Sequence, residues 1–240
     1  MEHGGRRNAG LVDRHEPAAV LLARFERALE ETVCALAGAA DSPVGEHVRW
    51  HLEIGSGGGR GAERLRARAL LHVALGEGAT FDQAVDAALA VELVHAYALV
   101  HAQAEDAGAP RHGGPAVRSR YGLANGVNAG DALCALAYAT LLRNGGGLPA
   151  ERVVEMARVL HRANLALVGG TTAVLFGAAC ELGAICAGAG RRRARAYGEL
   201  GRCCDVREAE RVAREHGLDR DGHVREMFGA SRAFHAEAIA

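Results

Sequence analysis

The side chains able to do chemistry gather in the middle of this 240-residue chain. His95, Tyr97 and His101 share one helical stretch that ends in Glu105-Asp106, and Arg111-His112 follow a helix stop at Ala107-Gly-Ala-Pro110. Imidazoles and carboxylates so close together are the groups that shuttle protons or bind a divalent ion. His95 and His101 lie six residues apart, hence on different faces of a helix, and each reads equally well as a satisfied core histidine. His101, Glu105 and Asp106 could hold a metal on one turn. Adjacent residues diverge, though, and an exposed helix end explains the same three, so no metal is expected from Glu105 and Asp106. Arg111 reads either as an anion contact or as a surface arginine. Arg66 has the same two readings, because Arg64, Arg66 and Arg68 also fit a solvated face.

Several classes of chemistry fall away. Gly57–Gly61 lacks the Gly-Lys-Ser/Thr ending of a phosphate loop, and no strand precedes it. Arg191-Arg-Arg193-x-Arg195 is short and opens a helix, and with a formal net charge of −1 the chain is not expected to bind nucleic acid. None of the six cysteines forms a Cys-x-x-Cys pair, and Cys203-Cys204 is adjacent, a spacing that favours packing over a disulfide. Reduced thiols and the lack of an apolar N-terminal segment point to the cytoplasm. The apolar run Ala163–Cys186 is interrupted by Gly169-Gly-Thr-Thr172, Gly177 and Glu181, so it reads as core and no membrane span is expected.

The elements that must position these residues are helices. Ala, Leu and Val are mixed with Arg and Glu, aromatics make up 4%, and no lysine occurs. Helical periodicity runs over about 14–36, 44–52, 62–74, 81–104, 123–143, 150–168, 171–187, 191–217 and 222–238, while residues 1–13 form a flexible arm. No stretch alternates with period two for long enough to be a strand. The prediction is an all-α single domain over 14–240, a bundle whose site lies between facing helices.

The order of several short motifs is more specific than any one of them. Glu92-Leu-Val-His95-Ala-Tyr97-Ala-Leu-Val-His101 resembles the helix that leads into the first aspartate-rich motif of the trans-isoprenyl diphosphate synthases, or polyprenyl synthetases. Arg111-His-Gly-Gly-Pro115-Ala, Tyr121-Gly122 and Ala129-Gly-Asp-Ala-Leu133 resemble the family's next motifs in order. Arg64-Leu-Arg66 upstream, and Thr172-Ala173 with Cys180-Glu-Leu-Gly-Ala184 downstream, extend the resemblance over roughly residues 60–190. It implies an isoprenoid synthase-like helical bundle with a shortened C-terminal part. It also implies substrate-binding positions at Arg66, His95, Tyr97, Arg111, His112 and Thr172. His95 would touch a homoallylic diphosphate, and Tyr97 would floor the pocket for the growing chain.

The departures fall on the catalytic ligands. The family holds magnesium and diphosphate between two aspartate-rich motifs, and the first motif falls here on Ala102, Gln103 and Asp106. The expected place of the second reads Arg202-Cys-Cys-Asp205-Val206. The family's two diphosphate-binding lysines fall on Glu63 and Thr171. Magnesium wants hard oxygen ligands in near-octahedral array, so no cofactor is expected. A rebuilt site would need two of Glu105, Asp106, Asp131 and Asp205 to converge. The resemblance thus implies a catalytically degenerate partner of an intact synthase, as homodimer or heteromer. The alternatives are a noncanonical prenyltransferase or terpene cyclase, and a non-catalytic prenyl-lipid binder.

Overall fold

In the computed structural model the residues described are 16–36, 42–52, 54, 64–105, 117–168, 174–203 and 206–218. The arm at 1–13, Asp106, Arg111, His112, Thr172, Asp205 and the helix expected at 222–238 lie outside them, as does the side chain of Glu105. Ten helices are present among the described residues: α1 Ala18–Leu36, α2 Pro43–His51, α3 Leu65–Gly76, α4 Phe81–Glu105, α5 Val117–Tyr121, α6 Leu123–Arg143, α7 Ala150–Val168, α8 Val174–Cys186, α9 Arg191–Gly201 and α10 Val206–His216. No strand occurs among those residues, as the sequence predicts.

The bundle is organised around α4. A helix that is apolar on every side has to be enclosed by others. Ala84, Ala87, Ala88, Leu89, Ala90, Val91, Leu93 and Val94 are all buried, and the alanines let neighbouring helices approach closely. α6 packs along it most extensively, with α3 and α8 on other sides and α1, α5 and α7 in lesser contact. Among the described residues α4 is the one helix long and apolar enough to cross a membrane by length and composition, and 67% of its most apolar stretch is buried in the bundle. The N-terminus of α4 is closed by a reciprocal capping box. Thr80 Oγ1 accepts from the Gln83 amide (3.3 Å), and Gln83 Oε1 accepts from the Thr80 amide (3.0 Å).

α8 is the second buried helix, lying between α3, α7 and α9. Gly183 faces the Leu70 carbonyl and Val73 of α3 so closely that a methyl group would not fit. Two ion-pair clusters tie the layers together. Arg193 forks onto Glu77 at 2.7 and 2.6 Å, and the Tyr197 hydroxyl donates to the same carboxylate at 2.6 Å. Buried Asp86 pairs with Arg143 and accepts from the Gly145 amide at 2.7 Å, while Arg143 also donates to Thr32. That cluster fixes the turn between α6 and α7 against α4 and α1.

Two elements differ from the periodicity. The segment expected as one helix over 191–217 is two, α9 and α10. The Arg202 and Cys203 amides bond to Glu199 and Leu200, three residues back, which tightens and ends α9 where Gly201 abuts Cys180 and Gly177 of α8. The short helix α5 falls where the periodicity assigns no element, since five residues are too few to show a period.

Candidate functional site

The residues singled out by sequence fall on two sides of α4. On one side α3 begins against it. Arg64, in the left-handed region at φ 45°, precedes α3 and supplies no side-chain cap. A carboxylate from α4 does that work instead: buried Glu92 accepts from the Ala67 amide at 2.9 Å. This bond sets Arg66, next to Ala67, and His95, one turn beyond Glu92, at the same helix crossing; both are half-buried. Arg64 itself is turned to α1, paired with Glu26 at 2.8 Å.

On the other side, the last two turns of α4 meet α6. The Tyr97 and His101 rings stand 4.8 Å apart at 56°. His101 Nε2 lies 3.4 Å from Asp131 Oδ1, and the imidazole occupies the space that a side chain at Gly130 would need. Further along, Asn164 of α7 donates to Cys134 Sγ at 3.5 Å, and the Tyr138 hydroxyl lies 3.3 Å from His161 Nδ1. Burial pushes the Cys134 thiol and the Tyr138 phenol up, with the hydrogen bond to Asn164 opposing it in both. A polar seam thus runs from Tyr97 out to the exposed edge of α7, beside an apolar α4.

At the C-terminal end of α4, Arg118 of α5 donates through Nη1 to the Ala104 carbonyl at 2.8 Å. The last turn of α4 carries no basic residue of its own, so this guanidinium answers the negative end of the helix dipole. α5 is itself held in place. The Tyr121 ring lies 4.1 Å from that of His47 and edge-on to Trp50, its hydroxyl donates to Glu46 at 3.0 Å, and Arg120 stacks on both Trp50 and Tyr121.

Sequence reasoning singled out Arg66, His95 and Tyr97, which the structure puts on either side of one helix, together with Arg111, His112 and Thr172. It missed Arg118 and the Gly130–Asp131 seat for His101. A 25-residue helix without a cation in its last turn was the available signal for a capping arginine from elsewhere.

Among the described residues no set of carboxylates fits magnesium, which the resemblance implies; the Glu105 side chain, Asp106 and Asp205 lie outside them. Where carboxylates would hold it stand Ala102 and Gln103, and a guanidinium is bonded one residue on. Asp131, the remaining described candidate, faces His101. No group of three His, Cys, Asp or Glu side chains able to hold a metal occurs among the described residues.

Residues 57–171 match the polyprenyl synthetase family model. The chain is 31% identical over 170 residues to the geranylgeranyl diphosphate synthase of Methanosarcina mazei, covering 61% of this chain and 52% of that one. It is 31% identical over 169 residues to the (2E,6E)-farnesyl diphosphate synthase of Mycobacterium tuberculosis, covering 62% and 47%. It spans about half the length of the curated relatives it matches. The fold resembles the crystal structure of a polyprenyl synthetase from Streptomyces coelicolor A3(2), with a TM-score of 0.65, 25% identity and coverage of 79% and 64%. It also resembles that of a geranyltranstransferase from Thermotoga maritima, with a TM-score of 0.70, 18% identity and coverage of 91% and 98%. With the helix order and the Glu92–His101 helix in place, residues 57–171 are a polyprenyl synthetase segment, set in a bundle with the fold of these synthases.

Proposed function

We propose that this protein acts in isoprenoid biosynthesis as a non-catalytic partner or regulatory relative of a prenyl diphosphate synthase. The observation that carries this reading is the C-terminal turn of α4, where Ala102 and Gln103 replace carboxylates and Arg118 bonds the Ala104 carbonyl. Loss of one preorganised charge contact typically costs about 10²–10³ in rate, and several are lost together. Arg66, His95 and Tyr97 remain as contacts for an isoprenyl diphosphate or prenyl lipid, with no cofactor. A pairing surface is available: Leu123, Val127 and Leu142 of α6 and Val154, Leu165 and Val168 of α7 are exposed apolar side chains on consecutive helices. The partner is an intact synthase or a second copy, in the cytoplasm.

A prenyl-transfer assay tests this, using isopentenyl diphosphate, allylic diphosphates of several lengths and magnesium. The chain alone is expected to turn over at less than about a hundredth of the rate of an intact synthase. Added to an intact synthase, it is expected to change the rate or the product length. Enzyme-like turnover by the chain alone overturns the reading in favour of a noncanonical prenyltransferase or cyclase.

A further inference from the structure

We infer that the groove between α9 and the last turn of α10 binds a phosphate group. The site lies apart from the α4 crossings: α9 packs on α8 and α10 on α9, and neither packs along α4. The groove holds about 570 Å³ and is lined by Arg192, Ala196, Glu215 and His216. It continues into a hollow of about 400 Å³ that shares Arg192, Ala196 and His216 and adds Arg195 and Glu199. Both volumes fall in the range of about 300–1,000 Å³ that small-molecule sites occupy. The charges along this groove do not cancel. Each acid has its own cation: Glu215 pairs with Arg211 at 2.7 Å, and Glu199 faces His216 at 3.5 Å. Arg193 is committed too, forked onto Glu77 and donating to the Gly217 carbonyl at 3.1 Å. Arg191 is largely exposed and has Glu155 at 3.6 Å. Arg192 and Arg195 are exposed and close no hydrogen bond or ion pair among the described residues. Arg195 acts on Glu181 only at longer range, behind Arg162 and Arg202.

Arg191 and Arg192 stand four and three residues before Arg195, so the three guanidiniums are neighbours on one side of α9. Like charges at that spacing weaken a helix, and the first turn of α9 holds no acid to offset them. An anion between them turns the repulsion into attraction. The planar fork of arginine matches two phosphate oxygens, and a dianion answers two guanidiniums where a carboxylate answers one. The walls are fixed in place. Arg193 and Tyr197 hold α9 to Glu77 at the end of α3, and the Arg193–Gly217 bond sets the distance to α10. Phosphate of this kind is carried by soluble phosphate esters and by phospholipid headgroups, and the experiment separates the two.

The full chain with isotopically labelled arginine is titrated by NMR with inorganic phosphate and with glycerol phosphate at constant ionic strength. It is also sedimented with phosphatidylcholine vesicles, with and without phosphatidic acid. The Nε–H signals of Arg192 and Arg195 should move and saturate with a soluble probe, or the chain should sediment only with the phosphatidic acid vesicles. The first result supports the site with a free ester as ligand, and the second supports it with a headgroup. The double variant Arg192→Ala, Arg195→Ala should weaken binding about 10- to 100-fold, the size of lost charge-assisted contacts. Arg192→Lys with Arg195→Lys, which keeps the charge and loses the fork, should fall between that variant and the wild type. Thermal unfolding of each variant separates lost binding from lost folding, and the lysine variant carries the test if the alanine variant does not fold. Binding of none of the probes overturns the inference. So does wild-type affinity in both double variants, or an equal response to acetate at the same ionic strength.

Discussion

The ring of His101 sits in a notch that exists only because residue 130 is glycine, and from that notch it reaches the carboxylate of the next residue, Asp131. Two helices are thereby locked at one height: α4 can neither slide nor rotate against α6 without driving the imidazole into backbone.

Gly130→Ala therefore overpacks the α4–α6 seam. It should destabilise the fold by about 1–3 kcal/mol in chemical denaturation. His101→Ala in the same chain should recover part of that loss, giving a coupling of about 1 kcal/mol or more in a double-mutant cycle. Additive losses would show that the ring does not occupy the notch.

Glu92 carries a different load. Its carboxylate satisfies an amide at the start of α3 that no local side chain caps. Glu92→Ala orphans that buried donor and should cost about 1–3 kcal/mol, whereas Glu92→Gln keeps an acceptor oxygen and should cost less. Equal losses in the two variants would assign the role to the charge and not to the cap.

Thiol chemistry should sort the cysteines by depth. Cys34 is exposed, while burial pushes the Cys180 and Cys186 thiols up to about 12. Near about pH 8, native protein should label rapidly at Cys34, and at Cys180 and Cys186 only when unfolded. The same shift has a sign for stability. Between the ordinary thiol value of 9.0 and about 12 the unfolded chain ionises where the folded one does not, so stability falls as pH rises through that window. Rapid native labelling at Cys186, read by peptide mass, would contradict its enclosure against Met156.

Glu181 predicts a slope at lower pH. Burial raises its pKa above the ordinary carboxylate value of 4.5, and Arg162, Arg202 and Arg195 only partly oppose this. The folded state then holds the proton more tightly than the unfolded state. From 4.5 up to the raised folded value this residue makes stability decline with rising pH. Glu181→Gln should flatten that part of the stability–pH curve; an unchanged curve would mean that the arginines fully offset burial.

The long elements were legible because their signals are local. α6 and α7 run over 123–143 and 150–168 as the periodicity predicts, punctuated by Gly122 before α6 and by Asn144 through Pro149 between the two. The family resemblance was legible because its motifs occur in order. What escaped was tertiary. Arg118 meets Ala104 across 14 residues, so no window of the sequence shows the pair. α9 and α10 read as one helix because the break at Arg202 comes from the close approach of Gly177 and Gly201, and neither glycine on its own signals a stop. The seat of His101 against Gly130 and Asp131 escaped because spacing along a helix says nothing about which neighbouring helix a ring turns to.

The enclosure of α4 has a kinetic meaning. A helix walled in by six others cannot exchange its amide hydrogens by fraying or by local opening of one neighbour, so its central turns should exchange only when the whole bundle opens. The Ala102–Ala104 end, which among the described residues is covered by a five-residue helix and one guanidinium bond, should open far sooner. The slowest and fastest parts of one continuous helix would then differ by most of the protein's unfolding free energy.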